Sequence, residues 1–386
     1  MPKDRIEPTT ETARLESFSS CVVDRLRAAG GVWSLRSGEI LLPRVFGFCR
    51  GVKRALAMLE QAVGDRRRPG ERLVLLGEII HNPWVNEFFR RRNVRILTRQ
   101  EAAEPEKHVG QADWAIIPAF GVPLLVERRL RTIGCKIVDT SCGDVRRLWR
   151  WAECAVRSGY GILIFGRADH DETVVTKSRL AAANGRYLVL GSLDEIHIFC
   201  EMIVSEHCNE RFRQVFDTGA TNAEAIDPLC RLAQVSQTTM LYDDTMEVRR
   251  LLRQAFARRF GSPGAEKRLL FHPTVCRATQ DRQAAAVELC RKNLDLVIVV
   301  GGFGSSNTRH LYELAQHYAR SLLIEDAEAI RSESQLATID LARNEPLVVR
   351  NWLPRRRPLR IGVLAGASCP EVVVGQVLQR LATWLA

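Results

Sequence analysis

Three times along this chain an apolar run of strand length breaks off, a cysteine follows, and an amphipathic helical pattern begins. That repeated junction constrains the fold more than any other feature of the sequence. The first instance is Phe46-Gly47-Phe48-Cys49-Arg50-Gly51-Val52, where a predicted strand from Ile40 to Phe46 delivers Cys49 to a helix carried by Val52, Leu56, Leu59 and Val63. The second is Asp139-Thr140-Ser141-Cys142-Gly143-Asp144, after Lys136-Ile137-Val138 and before the pattern Val145, Leu148, Ala152, Ala155. The third, Pro273-Thr274-Val275-Cys276-Arg277-Ala278-Thr279, follows Leu269-Leu270-Phe271. Free backbone N–H groups and the helix dipole at such a junction favour a thiolate, and three thiolates aimed at one centre would make a soft metal site. Singly, each cysteine is better explained as a small buried hydrophobe; the shared context is what supports a ligand set.

Between the junctions, apolar runs alternate with helical patterns, which predicts parallel sheets covered by helices. Runs ending at Ile80, Ile117, Phe165, Ser236, Val300 and Leu364 lead into His81-Asn82, Ala119-Phe120-Gly121, Ala168-Asp169-His170-Asp171-Glu172, Gln237-Thr238-Thr239, Gly301-Gly302-Phe303-Gly304-Ser305-Ser306-Asn307 and Gly366-Ala367-Ser368. Ligands of parallel sheets gather at these carboxyl ends. Small residues there let backbone N–H groups approach an anion, although Ser, Thr and Asn also serve as plain helix caps. A Walker A sequence and a Gly-x-Gly-x-x-Gly are both missing, which argues against an ordinary nucleotide cradle.

Eleven cysteines without a Cys-x-x-Cys pair suggest reduced thiols and not a disulfide framework or a zinc ribbon. The spacing of His197, Cys200, His207 and Cys208 matches no common zinc module. The longest nearly apolar run, Trp114 to Val126, is too short to span a membrane and contains Pro118 and Pro123. The acidic start from Met1 to Phe18 resembles neither a secretory signal nor a transit peptide, so a cytoplasmic protein is expected. The formal net charge of +11 resides largely in arginine, in clusters such as Arg66-Arg67-Arg68, Arg90-Arg91-Arg92 and Arg355-Arg356-Arg357. Basic surfaces attract nucleic acid, anionic substrates or acidic proteins. A general preference for arginine on solvated faces accounts for the clusters equally well, and none is interleaved with aromatics as a single-strand groove would be.

The ordered set Gly47-Phe48-Cys49-Arg50-Gly51-Val52, Ile80-His81-Asn82, Asp139-Thr140-Ser141-Cys142, His170-Asp171-Glu172, Gln237-Thr238-Thr239, Cys276-Arg277-Ala278-Thr279, Ser305-Ser306-Asn307 and Gly366-Ala367-Ser368 resembles the 4-hydroxy-3-methylbut-2-enyl diphosphate reductases, over about residues 39–386. The resemblance implies an α/β fold of three small parallel-sheet domains in pseudo-threefold arrangement around one four-iron four-sulfur cluster. The expected division is an N-terminal extension (1–38), a first domain (39–141 plus 359–386, with Cys49), a second (142–271, with Cys142) and a third (272–358, with Cys276). Cys49, Cys142 and Cys276 carry over as ligands to three of the irons.

The same resemblance gives His81, Ser305, Ser306, Asn307 and Ser368 to the diphosphate, and makes Glu172, supported by His170 and Thr238, the proton donor to a departing hydroxyl. It further implies the last step of the non-mevalonate isoprenoid pathway, with a ferredoxin or flavodoxin as electron donor and neither membrane nor nucleic acid as a partner. This chain departs from the pattern at Phe120, where histidine is usual, and at Gly143-Asp144, Arg167, Asp171 and Phe303-Gly304. Two other readings therefore stay open: a divergent paralogue reducing another small allylic or phosphorylated substrate, and a non-catalytic cluster-bearing redox sensor that binds nucleic acid. The N-terminal lead, the Leu193–Leu232 region and the basic stretch Asn344–Pro358 look like additions.

Overall fold

A computed structural model describes residues 15–65, 70–205 and 209–386. Residues 1–14, the Arg66-Arg67-Arg68 cluster, His207 and Cys208 lie outside the described residues. The chain forms two compact units, Met1–Ile96 with Asp281–Ala386, and Leu97–Gln280. Among the described residues no helix is long and apolar enough to cross a membrane.

The first unit is built on a five-stranded sheet in the order Val32–Leu35, Gly38–Leu41, Leu359–Ala365, Leu296–Val300, Ser321–Ile324. All pairings are parallel except the outermost, Val32–Leu35 on Gly38–Leu41. Leu296–Val300 is wholly buried, as a parallel strand covered on both faces must be, which explains its unbroken Val/Ile/Leu run. A parallel pair, Leu73–Leu75 with Val94–Ile96, completes this unit's α/β part. The second unit carries a four-stranded parallel sheet, Leu269–Phe271, Leu232–Ser236, Gly161–Phe165, Tyr187–Leu190, and a parallel pair, Trp114–Ile117 with Lys136–Asp139.

The fold is α/β with several parallel sheets, as expected, but the sheets cut the chain differently from the division into 39–141 plus 359–386, 142–271 and 272–358. Leu296–Val300, expected in the third domain, pairs with Leu359–Ala365, expected in the first, whereas Leu269–Phe271 and Leu232–Ser236 pair inside the expected second domain. Parallel strands need crossover connections, and a crossover can set a strand beside one far away in the chain, as it does for Leu296–Val300 and Leu359–Ala365. The strand expected from Ile40 to Phe46 ends at Leu41.

The additions are built into the units. Ser20 caps the helix Cys21–Ala28, which packs on the closing helix Glu371–Leu385 so tightly that a Cβ on Gly375 would lie 2.0 Å from the Ser20 hydroxyl. Phe18 is 3% exposed, with its ring centroid 5.5 Å from that of Phe48, 5.8 Å from Trp84 and 4.8 Å from Phe88. Asn344–Pro358 supplies the strand Glu345–Arg350, antiparallel to Gln335–Asp340, and buries Trp352 with its indole N–H donated to the Ser332 carbonyl. Leu193–Val204 is a helix with a Ser192/Glu195 capping box, packed on the long helix Tyr242–Arg268. These segments escape pattern reading because their apolar positions are matched to partners distant in sequence.

Phe18→Ala should cost about 3–5 kcal/mol, the range for emptying a buried aromatic site. Leu347→Ala, at a position 46% exposed, should stay within about 0.5 kcal/mol. Equilibrium urea unfolding checks both, and equal midpoints would show the N-terminal segment to be a dispensable arm.

Candidate functional site

Register brings the chemistry-bearing loops together. In the first unit Val300 lies opposite Ala365, so the loops after these strands leave the sheet side by side. One carries Ser305, Ser306 and Asn307, the other Ala367 and Ser368. All but Ala367 are expected diphosphate residues, and each of those four is buried, between 3% and 8% exposed. The Ser368 hydroxyl is within hydrogen-bond distance of the Ser305 hydroxyl (3.2 Å) and of the His81 carbonyl (3.4 Å), and its single proton serves one of them at a time. Ser305 caps the helix Ser306–Gln316 by accepting from the Thr308 N–H. Asn307 accepts from the Ala367 N–H at 2.9 Å through its amide oxygen, while its amide nitrogen is buried with no hydrogen-bond partner among the described residues. A buried donor without an acceptor is costly, and this one stands at a helix N-terminus, where anions are favoured. Gly302 passes so close under His81 that a Cβ would meet the His81 carbonyl oxygen at 2.5 Å.

Sequence reasoning missed the partner of His81. Its Nδ1 is 3.0 Å from the Glu78 carboxylate; the carboxylate accepts, so Nδ1 carries a proton and the ring is oriented. Glu78 stands three positions before His81, a spacing that in the sequence reads as ordinary surface charge.

In the second unit Phe165 lies opposite Ser236, and the loops beyond them meet in the same way. Glu172 is 3% exposed. Thr238 donates its N–H to one carboxylate oxygen (2.7 Å) and its hydroxyl to the other (2.6 Å). Burial is the largest influence on this carboxyl and, with the nearby Asp144 charge, outweighs the two Thr238 hydrogen bonds, so its pKa is pushed up to about 7. His170 caps the helix Asp171–Ala182, its Nδ1 accepting from the Glu172 N–H at 3.2 Å, which leaves the ring proton on Nε2. Phe120, the departure from the expected histidine, presents its ring edge-on to His170 at 6.3 Å. Of the expected proton-transfer group, the structure brings Glu172, His170 and Thr238 together.

The three cysteine junctions are locally equivalent. The Cys49 N–H donates to Ala367, Cys142 to Ala119 and Cys276 to Thr238, each acceptor being the second residue beyond a strand end (Ala365, Ile117 and Ser236). Each cysteine then starts a helix: Arg50–Asp65, Gly143–Arg157 and Arg277–Cys290. Two residues before Cys142 and Cys276, Thr140 and Thr274 clamp the same strand ends, with their hydroxyls donating to the carbonyls of Ile117 (2.6 Å) and Ser236 (2.5 Å). At Cys49 the corresponding residue is Gly47, whose carbonyl accepts from the Arg282 guanidinium.

Among the described residues no group of three or more His, Cys, Asp and Glu side chains stands as a ready-made metal site, and neither unit alone contains all three cysteines. The donor set suits a soft metal group all the same. Cys49, Cys142 and Cys276 are half-buried at pinned helix starts, whereas Cys135, Cys230, Cys290 and Cys369 are buried with thiols pushed up by desolvation, that of Cys290 to about 11. The described arginine clusters read as solvated faces: Arg90 and Arg91 pair with Glu87, and Arg92 pairs with Glu60 and stacks on Phe88.

The family model described as LytB protein matches residues 40–382. The 4-hydroxy-3-methylbut-2-enyl diphosphate reductase of Synechococcus sp. is 35% identical, with 97% of this chain and 92% of that protein aligned. Its counterpart from Thermosynechococcus vestitus is 34% identical over 94% of this chain and 89% of its own length. A solved structure of (E)-4-hydroxy-3-methyl-but-2-enyl diphosphate reductase, described as the terminal enzyme of the non-mevalonate pathway, superposes with a TM-score of 0.53 at 26% identity, covering 89% of this chain and 99% of that one.

Proposed function

Because the chain belongs to the LytB protein family, we infer that it is the enzyme that reduces 4-hydroxy-3-methylbut-2-enyl diphosphate to isopentenyl and dimethylallyl diphosphate. Two electrons and two protons enter, the allylic C–O bond breaks, and water leaves. The observation that carries this reading is the backbone of Ala367: its carbonyl accepts from the Cys49 N–H and its N–H donates to Asn307. A single residue thus joins a cysteine junction to a buried cradle of hydroxyl and amide groups, which suits reduction of a diphosphate ester.

Cys49, Cys142 and Cys276 would hold a four-iron four-sulfur cluster, which would supply the electrons singly and, with three protein thiolates instead of four, keep one iron open. The remaining chemistry belongs to side chains. Ser305, Ser306, Asn307, Ser368 and His81 bind the diphosphate, since small hydroxyl and amide donors satisfy phosphate oxygens. Glu172, protonated near neutral pH, delivers a proton to the departing hydroxyl, and Thr238 and His170 hold it in place. A ferredoxin or flavodoxin supplies the electrons. The ten described cysteines are all free, which suits the reducing cytoplasm.

Anaerobic turnover with the hydroxylated diphosphate and reduced methyl viologen tests the whole reading; no product and no spectral response to substrate would reject it. A narrower test concerns Asn307. Removing a hydrogen bond to a charged group costs about 1.5–3 kcal/mol, so Asn307→Ala should weaken inorganic diphosphate binding about 10- to 100-fold by calorimetry. Unchanged affinity would remove Asn307 from the cradle.

A further inference from the structure

The reductase reading requires an external source of electrons, and this inference rests on that reading. We infer that an acidic one-electron carrier protein docks on the basic first turn of the helix Arg50–Asp65, over a hollow of about 430 Å³ floored by Phe18 and Phe48 and rimmed by Arg50 and Lys53. Arg50 and Lys53 are exposed, one turn apart, and neither side chain has a hydrogen bond or ion pair with a described residue. That turn contains no acidic residue, so its cations oppose the helix dipole uncompensated, an arrangement that an acidic partner relieves. The one acid lining the hollow, Glu371, is already neutralised by Arg27 at 2.6 Å.

The floor is rigid, because Phe18 is buried among Phe48, Trp84, Phe88 and Phe89. An apolar floor with a charged rim matches the anatomy of a protein interface, and the small footprint suits transient electron-transfer contacts. Phe48 and Arg50 are the chain neighbours of Cys49, so a partner seated here lies against the backbone of a proposed cluster ligand. Each carrier gives up one electron and leaves oxidised. Two visits supply the pair that, with two protons, releases water from one substrate molecule.

The test uses anaerobically purified holoenzyme and oxidised plant-type ferredoxin as the probe, with binding followed by calorimetry at low and high salt. The Arg50→Glu, Lys53→Glu double variant should bind ferredoxin at least about tenfold more weakly at low salt and lose most of the salt dependence, while turnover driven by methyl viologen stays at the wild-type level. Unchanged ferredoxin affinity overturns the assignment. So does a parallel loss of methyl viologen turnover, which would make these residues supports of the site, or a matching loss of affinity for a single-stranded oligonucleotide, which would make the patch a general polyanion surface. Absence of methyl viologen turnover in the wild type counts against the reductase reading alone, because ferredoxin binding is read separately.

Discussion

Glu172→Gln is expected to lower kcat about 10²- to 10⁴-fold, the contribution typical of a positioned general acid. Glutamine keeps the shape and still accepts a hydrogen bond from Thr238, so the variant removes the acidic proton and little else. The wild-type carboxyl acts in its protonated form. With its pKa pushed up to about 7, kcat/KM should hold steady on the acid side and fall about tenfold per pH unit above that value. The variant should lack this limb.

Stability gives an independent readout. A carboxyl whose pKa is raised on folding contributes stability that is fully present below its ordinary value near 4.5 and is lost as pH rises through about 7. Urea midpoints of the wild type should therefore decline relative to Glu172→Gln between mildly acidic and alkaline pH. A variant with wild-type turnover, or one that keeps the alkaline limb, would remove Glu172 from proton delivery.

Serine at any one of Cys49, Cys142 or Cys276 should cost both the brown colour of anaerobically purified protein and its activity. Losing even a residue that only orients a metal ligand typically costs 10- to 100-fold, so losing a ligand should exceed about a hundredfold. Cys290→Ser is the control. That thiol is buried and pushed up to about 11, and its replacement should leave iron and sulfide content unchanged. A single variant at one of the three junctions that retained full iron content and colour would sink the three-ligand assignment. The equivalence of the junctions, each amide held by the second residue past a strand end, predicts that the three losses are similar in size.

Much of the site was legible because its residues lie where strands end, and strand ends can be read from where apolar runs stop. The loops that carry Glu172, Thr238, Asn307 and Ser368 could be placed in this way, whereas the residues themselves were singled out only by the family resemblance. Their pairing could not be read from the sequence, because it depends on which strands are neighbours and in what register: Phe165 opposite Ser236 and Val300 opposite Ala365. The pairing of Glu78 with His81 and the backbone links made by Ala367 were invisible for a related reason. A carboxylate three residues away looks like surface charge, and an alanine carbonyl has no side-chain chemistry to mark it. The burial of Phe18 was not legible in the sequence, because the rings packed against it come from elsewhere in the unit.

By itself the sequence determined the alternation of strands and helices, the three cysteine junctions and the residue types at each strand end, because periodicity and helix-start chemistry are local and act within a few residues. Only the tertiary structure decided which strands share a sheet, that Glu172 is shut away from water with Thr238 on both its oxygens, and that Asn307 keeps a buried amide nitrogen with no partner among the described residues. Desolvation and hydrogen-bond pairing depend on what comes within a few ångströms in space. Crossover connections between parallel strands make that a different set from the neighbours along the chain.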